Sequence, residues 1–406
     1  MKKSSYIRIF SLLFIPLGLL LVAFLLVPPV GACDQADHSS LMTTKCTRYL
    51  SDDPSRVFEY PNYLEAVTSS DLKTSLVRVT NDGDEFDRGV HHYSKRQVWN
   101  SDGSLMLLSK SILDANDYSV FREQLKVSSA MNWSNTNPHI VFGVSYDPEP
   151  NALVSWNVVT DETVLIEKFD KYSACSFGDG EGNLSNDDRF ILLACKIADH
   201  EDKYLVSYDI ARKLVLGEIQ AHENFNWGSF TRTGKYVIVE NNSGPLETRE
   251  LIRYSMDLKD KFVLTHEVEH GDLALTPEGD EFYIMIDQRN VLMLNIETAK
   301  VSKTPLTLSR SSVGFGHVSC LSSATTGRCL LSTLGSGELS NFYFGSDPYW
   351  AVSRGFEFVG YHQASSADYF STPKASVNRD SSKFVFSSDW NLEYATEEFV
   401  IELVPQ

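Results

Sequence analysis

The chain lacks the local motifs of several large enzyme classes. It has no Gly-Lys-Ser or Gly-Lys-Thr phosphate loop, no dinucleotide-binding glycine fingerprint and no Gly-x-Ser-x-Gly nucleophile elbow. It also lacks any stretch of sustained helical periodicity. These absences argue against nucleotide chemistry, serine hydrolase chemistry and a helical fold. Paired carboxylates for glycoside hydrolysis stay open, because 54 acidic residues offer many candidate pairs.

Basic residues are scarce relative to acidic ones. Lys and Arg number 36 against 54 Asp and Glu, which gives a net charge of −18 and a pI near 5.0. Phosphate binding needs a strongly basic surface, so nucleic acid is not an expected partner. Any anionic ligand must instead meet a local basic cluster. Hydrophobic residues make up 42% of the 406 residues, enough for one large packed domain that we expect to be a monomer.

A turn flanked by apolar β-rich runs recurs seven times, mostly about 45 residues apart, which is the period of a four-stranded propeller blade. The turns are Asp102-Gly103, Asn137-Pro138, Asp187-Asp188, Thr233-Gly234, Glu278-Gly279, Thr326-Gly327 and Asp380-Ser381. Short apolar runs between such turns are typical of buried strands. The sequence therefore predicts an all-β fold, a seven-bladed β-propeller.

One blade can be followed strand by strand, from Gly271 to Val301. It has a run at 272–276, a turn at 277–279, a run at 282–286, a turn at 288–290 and a run at 291–296. A single blade cannot bury both faces, so the ring must close, and propellers usually close by pairing N-terminal and C-terminal strands. We expect 75–80 to lie beside 399–404.

The first 32 residues predict a targeting segment. A basic start is followed by an apolar run over 9–30 and then by Gly31 and Ala32. The chain is therefore expected to be exported to the periplasm or outside the cell. The run approaches the roughly 20 residues that span a bilayer, so an uncleaved anchor is an alternative. Val30-Gly31-Ala32-Cys33 also resembles a bacterial lipobox, which would place a lipid on Cys33.

Membrane contact is expected only through this segment. Residues 33–74 form a lead-in, and 75–406 form the propeller. The six cysteines come in local pairs, and an even set in an exported protein normally forms disulfides. The pairs are Cys33 with Cys46, Cys175 with Cys195, and Cys320 with Cys329.

The loops that enter the innermost strands should converge on the central channel, where propellers concentrate function. Of ten histidines, six lie in these loops and His362 lies in the approach to the last one. The six are His91, His92, His222, His266, His270 and His317. The first loop, 91–100, is the richest in histidine, aromatic and basic residues.

Four short phrases carry a family resemblance. They are His92–Asn100, Gly180–Ser185, Gly316–Cys320 and Phe386–Trp390. They resemble bacterial secreted propellers and are similar to the propeller polysaccharide lyases that act on uronate polymers, such as ulvan lyases and, more distantly, oligogalacturonate lyase. The resemblance covers roughly residues 75–404. It implies cleavage of an anionic, uronate-containing polysaccharide by β-elimination.

Such a reaction needs a cation or metal on the carboxylate, a base for the C5 proton and an acid for the leaving oxygen. The first loop offers all three. The resemblance implies His91 or His92 as base, Tyr93 as acid, and Lys95 or Arg96 as the carboxylate-neutralising cation. Because strand residues alternate faces, only about half of these side chains can reach one pocket. The others are expected to pack or to bond a neighbouring blade.

Later loops supply the candidate substrate contacts. These are Trp133, Glu181, Asn183, Asn226, Trp227, His270 and Lys374. Trp133 and Trp227 could offer flat apolar faces to sugar rings. Glu181, between two glycines, is equally compatible with a ligand contact and with a turn. Trp99 and Trp390, beside the repeated turns, are expected to pack between blades.

His317, Cys320, Cys329 and His362 allow two interpretations. The cysteines flank one turn, so a cross-strand disulfide is expected in an exported protein. Two His and two Cys could instead hold a structural zinc ion. A third arrangement, with His270, His317, His362 and Gln363 around a divalent metal, would resemble the oligogalacturonate lyase site but lacks the close histidine pair expected there. No other cofactor is expected.

Two functions from different classes therefore stay open. One is an exported lyase acting on anionic polysaccharide. The other is a non-catalytic propeller that binds a glycan or a protein partner in the cell envelope, because a propeller fold alone implies no activity. They differ in whether His91 or His92, Tyr93 and a cation converge around one open pocket.

Overall fold

The computed structural model describes most of the predicted propeller. The described residues are 58–81, 89–127, 131–145, 151–198, 202–287, 290–307, 316–322, 327–334, 337–344 and 356–404. The predicted targeting segment, with Cys33 and Cys46, lies outside them, as does Thr326 of the sixth turn. Within the described ranges, no helix is long and apolar enough to cross a membrane.

The described chain is almost entirely β-structure, with two short 3-10 turns at Gly178–Gly180 and Leu246–Thr248. The strands are β1 (Ala66–Ser69), β2 (Thr74–Arg78), β3 (Leu105–Leu107), β4 (Ile112–Asp114), β5 (Val120–Arg122), β6 (Met131–Trp133), β7 (Ile140–Ser145), β8 (Ala152–Asn157), β9 (Thr163–Lys168), β10 (Ala174–Phe177), β11 (Phe190–Lys196), β12 (Lys203–Asp209), β13 (Leu214–Gln220), β14 (Phe225–Phe230), β15 (Val237–Asn241), β16 (Glu250–Tyr254), β17 (Lys261–Thr265), β18 (Gly271–Leu275), β19 (Glu281–Asp287), β20 (Asn290–Asn295), β21 (Val301–Thr307), β22 (Gly316–Ser319), β23 (Arg328–Thr333), β24 (Glu338–Tyr343), β25 (Phe356–Tyr361), β26 (Ser376–Val377), β27 (Lys383–Ser388) and β28 (Glu397–Leu403).

These strands form seven antiparallel sheets, one for each blade, and the predicted all-β seven-bladed propeller is confirmed. Six blades follow the chain in order, as β3 to β5, β6 to β9, β10 to β13, β14 to β17, β18 to β21 and β22 to β25. The blade predicted strand by strand is the fifth, and its first three strands are β18, β19 and β20.

The seventh blade closes the ring and combines both parts of the described chain. Its order is β1-β2-β28-β27-β26, and β2 pairs with β28 at Leu76↔Ile401 and Val77↔Val400. The predicted pairing of 75–80 with 399–404 is thus confirmed. β1 adds a fifth strand from within the predicted lead-in.

The hydrophobic core lies between neighbouring blades. Between the fifth and sixth blades, for example, Phe282 and Ile284 pack with Leu331 and Phe342. The other interfaces have clusters of the same kind, including one between the seventh and first blades. Trp99 and Trp390 lie in such clusters, as predicted: Trp99 is fully buried and Trp390 is buried.

The first blade has three strands, and its inner edge is continued by Trp99, which forms a single bridge to Met106. The segment His91–Gln97 comes immediately before this inner edge. Its position is therefore at the centre of the ring, where the inner strands of the other blades meet.

Candidate functional site

The segment His91–Gln97 bonds to five other blades and therefore crosses the central channel. Its partners are Asn183 in the third blade, Glu240 in the fourth, His270 in the fifth, Leu321 in the sixth and Lys374 in the seventh. No single neighbouring strand could supply this set of contacts. Most side chains of the segment are consequently buried rather than lining an open cavity.

His91 is held at both ring nitrogens. Its Nδ1 lies 2.8 Å from Glu398 Oε2, and its Nε2 lies 2.8 Å from the carbonyl oxygen of Lys374. The side chain is fully buried. His91 therefore joins the crossing segment to the seventh blade. Because neither ring nitrogen is left for a ligand, the structure does not support His91 as the base.

Lys95 is also paired within the protein. Its Nζ donates to Glu240 Oε2 at 3.2 Å and lies 4.3 Å from the ring centroid of Trp227. Glu240 Oε2 also accepts a hydrogen bond from the Tyr283 hydroxyl. The structure thus places Lys95 in a buried ion pair, away from the predicted role of neutralising a substrate carboxylate.

Arg96 is buried, and burial lowers its pKa to about 10, so the guanidinium stays charged at neutral pH. Its carbonyl oxygen accepts a hydrogen bond from the Ser376 hydroxyl. The charge of Glu181 acts on Arg96. The charges of both predicted cations of the first loop, Lys95 and Arg96, act on that carboxyl.

Trp133 and Trp227 are buried between blades and offer no flat face to a sugar. Trp133 Nε1 donates to the Val98 carbonyl at 2.9 Å, and Trp227 Nε1 donates to the Glu181 carbonyl at 3.0 Å. The prediction that these two rings stack on sugars is therefore wrong, because both rings are buried. Both serve instead to fasten loops of adjacent blades.

The two asparagines predicted as substrate contacts differ in position. Asn183 is buried, and its Nδ2 donates to the Lys95 carbonyl at 2.6 Å, so it fixes the crossing segment. Asn226 lies on β14 with an exposed side chain between two buried neighbours.

We group five side chains at the crossing segment as the channel cluster, because three of their rings are in contact and the charges of the other two act on those rings. They are Tyr93, Glu181, His270, His317 and Lys374. The Tyr93 hydroxyl lies 3.4 Å from His270 Nδ1, and the Tyr93 and His317 rings meet edge to face at 5.2 Å. The His270 and His317 rings are 5.7 Å apart. The charge of Lys374 acts on both His317 and Glu181.

Burial sets the protonation of the aromatic members. It raises the pKa of Tyr93 well above its usual value, and the nearby Glu181 adds to this effect, so Tyr93 is a phenol at neutral pH. Burial lowers the pKa of His317 well below its usual value, with His270 and Lys374 acting in the same direction. His317 is therefore a neutral imidazole beside a proton donor.

Glu181 follows the 3-10 turn Gly178–Gly180, which interrupts the inner edge of the third blade. Burial raises the pKa of Glu181 to about 7, although the charge of Lys95 opposes the shift. Its carboxyl group is therefore close to half ionised at neutral pH. Glu181 is also the C-cap of this turn, so a ligand contact at this residue stays a prediction.

Lys374 is a buried cation without a hydrogen-bond acceptor among the described residues. Its Nζ lies 3.9 Å from the ring centroid of Tyr369. Burial lowers the pKa of Lys374 to about 8, against the attraction of Glu398 and Glu181. Its backbone has a φ of 40°, in the left-handed region that side-chain-bearing residues rarely adopt.

His92, the other histidine predicted as base, is partly buried beside Arg96. Burial lowers its pKa well below the usual value, and the charge of Arg96 acts in the same direction. Its Nε2 is buried without a partner in the described part of the chain. The charge of Lys374 also acts on this neutral ring.

Cys320 and Cys329 form a disulfide, as do Cys175 and Cys195, which confirms both predicted pairs. Sulfur atoms in a disulfide are not thiolate ligands, so the alternative prediction of a zinc site at these cysteines is wrong. His362 Nε2 lies 2.8 Å from the Thr333 carbonyl oxygen, and its Nδ1 accepts from the Ala364 amide.

These bonds also remove His362 from the third predicted arrangement. Gln363 Oε1 accepts a hydrogen bond from Asn391 Nδ2 at 2.9 Å. Within the described ranges, no group of three or more His, Cys, Asp or Glu side chains is arranged to hold a metal ion. His270 and His317 lie in the channel cluster instead.

Residues His266–His270 match the His-Glu-x-x-His spacing of zinc peptidases, a motif that works when a helix places both histidines on one face. Here the segment is a non-helical link between β17 and β18. His266 Nδ1 lies 3.3 Å from the Arg249 carbonyl, whereas His270 faces Tyr93. The spacing therefore carries no zinc chemistry in this fold.

The sequence alone did not single out Glu240 and Glu398. Both are fully buried, and they pair with Lys95 and His91. Each stands in an apolar strand, β15 or β28, where a carboxylate needs a buried partner. That placement is the signal that could have identified them.

The chain resembles solved lyase propellers in fold. An oligogalacturonate lyase in complex with manganese is 14% identical, with a TM-score of 0.62 over 84% of this chain and 96% of that chain. Oligogalacturonate lyase from Vibrio parahaemolyticus is 14% identical, with a TM-score of 0.61 and the same coverage. Virginiamycin B lyase from Staphylococcus aureus is 7% identical, with a TM-score of 0.50 over 81% and 99%.

No protein family model matches the chain, and no curated protein matches its sequence. The predicted resemblance to oligogalacturonate lyase is thus confirmed for the fold. The third predicted arrangement around a divalent metal is not formed among the described residues, because both His362 nitrogens and the Gln363 side-chain oxygen are already bonded.

Proposed function

We propose that the chain is an exported carbohydrate-active propeller that cleaves uronate-containing polysaccharide by β-elimination at the channel cluster. The observation that carries the proposal is the buried ammonium of Lys374, which has no acceptor among the described residues. Its charge acts on the neutral imidazole of His317, whose ring meets that of Tyr93 edge to face at 5.2 Å. A buried charge without a partner is costly. A uronate carboxylate would supply the missing acceptor.

The cluster has one group for each step. Lys374 binds the C6 carboxylate, with the charge of Arg96 nearby, and this acidifies the C5 proton. His317 accepts that proton, and the electron pair of the C5–H bond forms the C4–C5 double bond. The C4–O bond breaks, and the leaving oxygen takes the proton of the Tyr93 hydroxyl. No water is consumed, and the products are an unsaturated uronate and a shortened chain.

His270 has a positioning role in this scheme. Its Nδ1 lies 3.4 Å from the Tyr93 hydroxyl, which is long for a hydrogen bond of this type. Such contacts often tighten when substrate binds. His270 would orient the phenol and help to return its proton after each turnover.

Export is part of the same proposal. Disulfides persist in oxidising compartments, and the two disulfides of the described chain support such a location. The basic and apolar start of the sequence points the same way. The expected partner is an anionic polysaccharide, met outside the cytoplasm.

The test is to mix the purified protein with a panel of uronate polysaccharides and follow the ultraviolet absorbance of the unsaturated product. The absorbance should rise when wild-type protein is added. The rate of this rise should be about 10²–10⁴-fold lower for Tyr93→Phe and for His317→Ala, which is the usual effect of losing a general acid or base. His139→Ala is the control, because His139 is exposed on the second-blade turn. Equal rates in all four proteins would contradict the assignment.

A second function is favoured by the burial of the crossing segment. Tyr93, Lys95 and Arg96 are all buried, which suits a propeller that binds a glycan or an envelope protein without cleaving it. A flat absorbance trace together with measurable polysaccharide binding would support this function.

A further inference from the structure

The burial of Trp133 and Trp227 leaves open which surface meets the apolar faces of a sugar. Two aromatic rings next to the channel cluster are exposed. Phe370 is 60% exposed and Tyr369 is 40% exposed, and their rings are 5.7 Å apart and nearly perpendicular. Contiguous exposed apolar side chains can mark a ligand-binding surface.

The loop that carries these rings is fixed by its own hydrogen bonds. Ser371 N donates to Asp368 Oδ1 at 2.8 Å, and Asp368 N donates to the Ser371 hydroxyl at 3.0 Å. Thr372 Oγ1 donates to the Asp368 carbonyl. The two rings therefore project from a braced turn, so a ligand that stacks on them loses little loop entropy.

This turn also connects the rings to the cluster. Lys374 Nζ lies 3.9 Å from the Tyr369 ring centroid and 5.9 Å from that of Phe370. The charges of Glu181 and Arg96 act on the Tyr369 hydroxyl. An anion held by Lys374 would thus lie within one sugar length of the exposed rings.

We propose that Tyr369 and Phe370 form a platform on which the sugar ring adjacent to the Lys374-bound uronate stacks. The ligand class is an acidic oligosaccharide of more than one unit. Its carboxylate matches the ammonium, and the C–H face of its next pyranose matches the aromatic rings. This inference rests on the proposed function of the same cluster.

The combination of features favours a sugar over a protein partner. A single buried cation beside two rings is small compared with the roughly 800 Å² that a stable protein interface buries on each partner. A protein partner is an outcome of the test below.

The experiment measures binding by calorimetry, using the full chain with Tyr93→Phe to prevent turnover. The probes are a uronate monosaccharide and a uronate tetrasaccharide. Phe370→Ala should weaken tetrasaccharide affinity by about tenfold, as expected for a lost aromatic contact, and leave monosaccharide affinity unchanged. Lys374→Met should weaken the binding of both probes.

Phe262→Ala is the matched control, because Phe262 is 47% exposed on β17 in the fourth blade and away from the cluster. It should bind both probes like the parent. If Phe370→Ala binds the tetrasaccharide like the parent, the platform is overturned, whatever the lyase assay shows.

The calorimetry, together with the absorbance assay of the wild-type chain, separates the two proposals. If Phe370→Ala weakens only tetrasaccharide binding and the wild-type chain cleaves no polymer, the lyase proposal is overturned and the platform is supported. If the parent binds neither probe, the platform is overturned. If the wild-type chain binds neither probe but binds a protein partner through Phe370, the platform is likewise overturned.

Discussion

Lys374 combines three unfavourable features at one position. It is buried to 1% exposure, its Nζ has no acceptor among the described residues, and its φ is 40°. A residue held in a sparsely populated backbone region costs about 1–3 kcal/mol, and such residues concentrate at functional sites. Its carbonyl oxygen also accepts a hydrogen bond from His91, so the crossing segment helps to hold the Lys374 backbone in this geometry.

Replacing Lys374 with methionine should therefore stabilise the protein at pH 7. Methionine keeps the chain length and removes the charge, and we expect a gain of about 1–3 kcal/mol in the free energy of unfolding. The measurement is urea unfolding followed by circular dichroism. A loss of stability at pH 7 would mean that the protein itself satisfies the ammonium, and the argument for a ligand carboxylate would fail.

The pH dependence of this difference has a definite sign. The pKa of Lys374 is about 8 in the folded protein, below its usual value of 10.5. Between these values the unfolded chain binds the proton that the folded protein has released, so wild-type stability rises with pH in this window. The advantage of Lys374→Met should be largest below pH 8 and should vanish towards pH 10.5.

At the scale of the element, strands were easier to predict than the site they surround. Alternating apolar runs and turns are local signals, and they placed β18, β19 and β20 correctly. The crossing of 91–97 depends on partners that are distant in sequence, such as Glu240 and Glu398. No local pattern distinguishes a loop that lines a channel from one that fills it.

The predicted first-loop residues illustrate this limit. Tyr93 does lie in the cluster, but His91 and Lys95 are used to hold the segment in place. The histidine beside Tyr93 comes from another blade, as His317 or His270. The sequence predicted that the first loop approaches the centre of the ring, whereas the contacts of each residue follow from burial and pairing.

The 3-10 turn that carries Glu181 depends on Gly178. Its φ is 45°, and a Cβ there would lie 1.7 Å from the Gly228 carbonyl oxygen. Gly178→Ala should therefore shift the turn, lower the melting temperature and weaken uronate binding. Thermal unfolding and calorimetry check the two effects.

Gly103→Ala is the matched control for this change. Gly103 also has a positive φ, 76°, but nothing lies within 4 Å of an added Cβ. It should cost only the backbone penalty of about 1–2 kcal/mol for a left-handed residue and leave binding unchanged. If both variants behave alike, the contact with Gly228 has no role in placing Glu181.

At the scale of the whole molecule, stability depends on closure. Each interface between blades has its own apolar cluster, and the last ones exist only when β2 pairs with β28. Leu76, on β2, packs in the cluster between the sixth and seventh blades with Val377 and Phe386. A ring that fails to close would expose these side chains together with the edge of β28.

Leu76→Ala should consequently destabilise the ring by about 2–5 kcal/mol, the range for a buried leucine cut to alanine. Val164→Ala is the control, because Val164 is 51% exposed on the outer strand β9 and should cost little. Urea unfolding followed by far-ultraviolet circular dichroism reports on all blades at once. An unchanged midpoint in Leu76→Ala would show that the closing strand adds no stability, and that the ring is held by its consecutive blades alone.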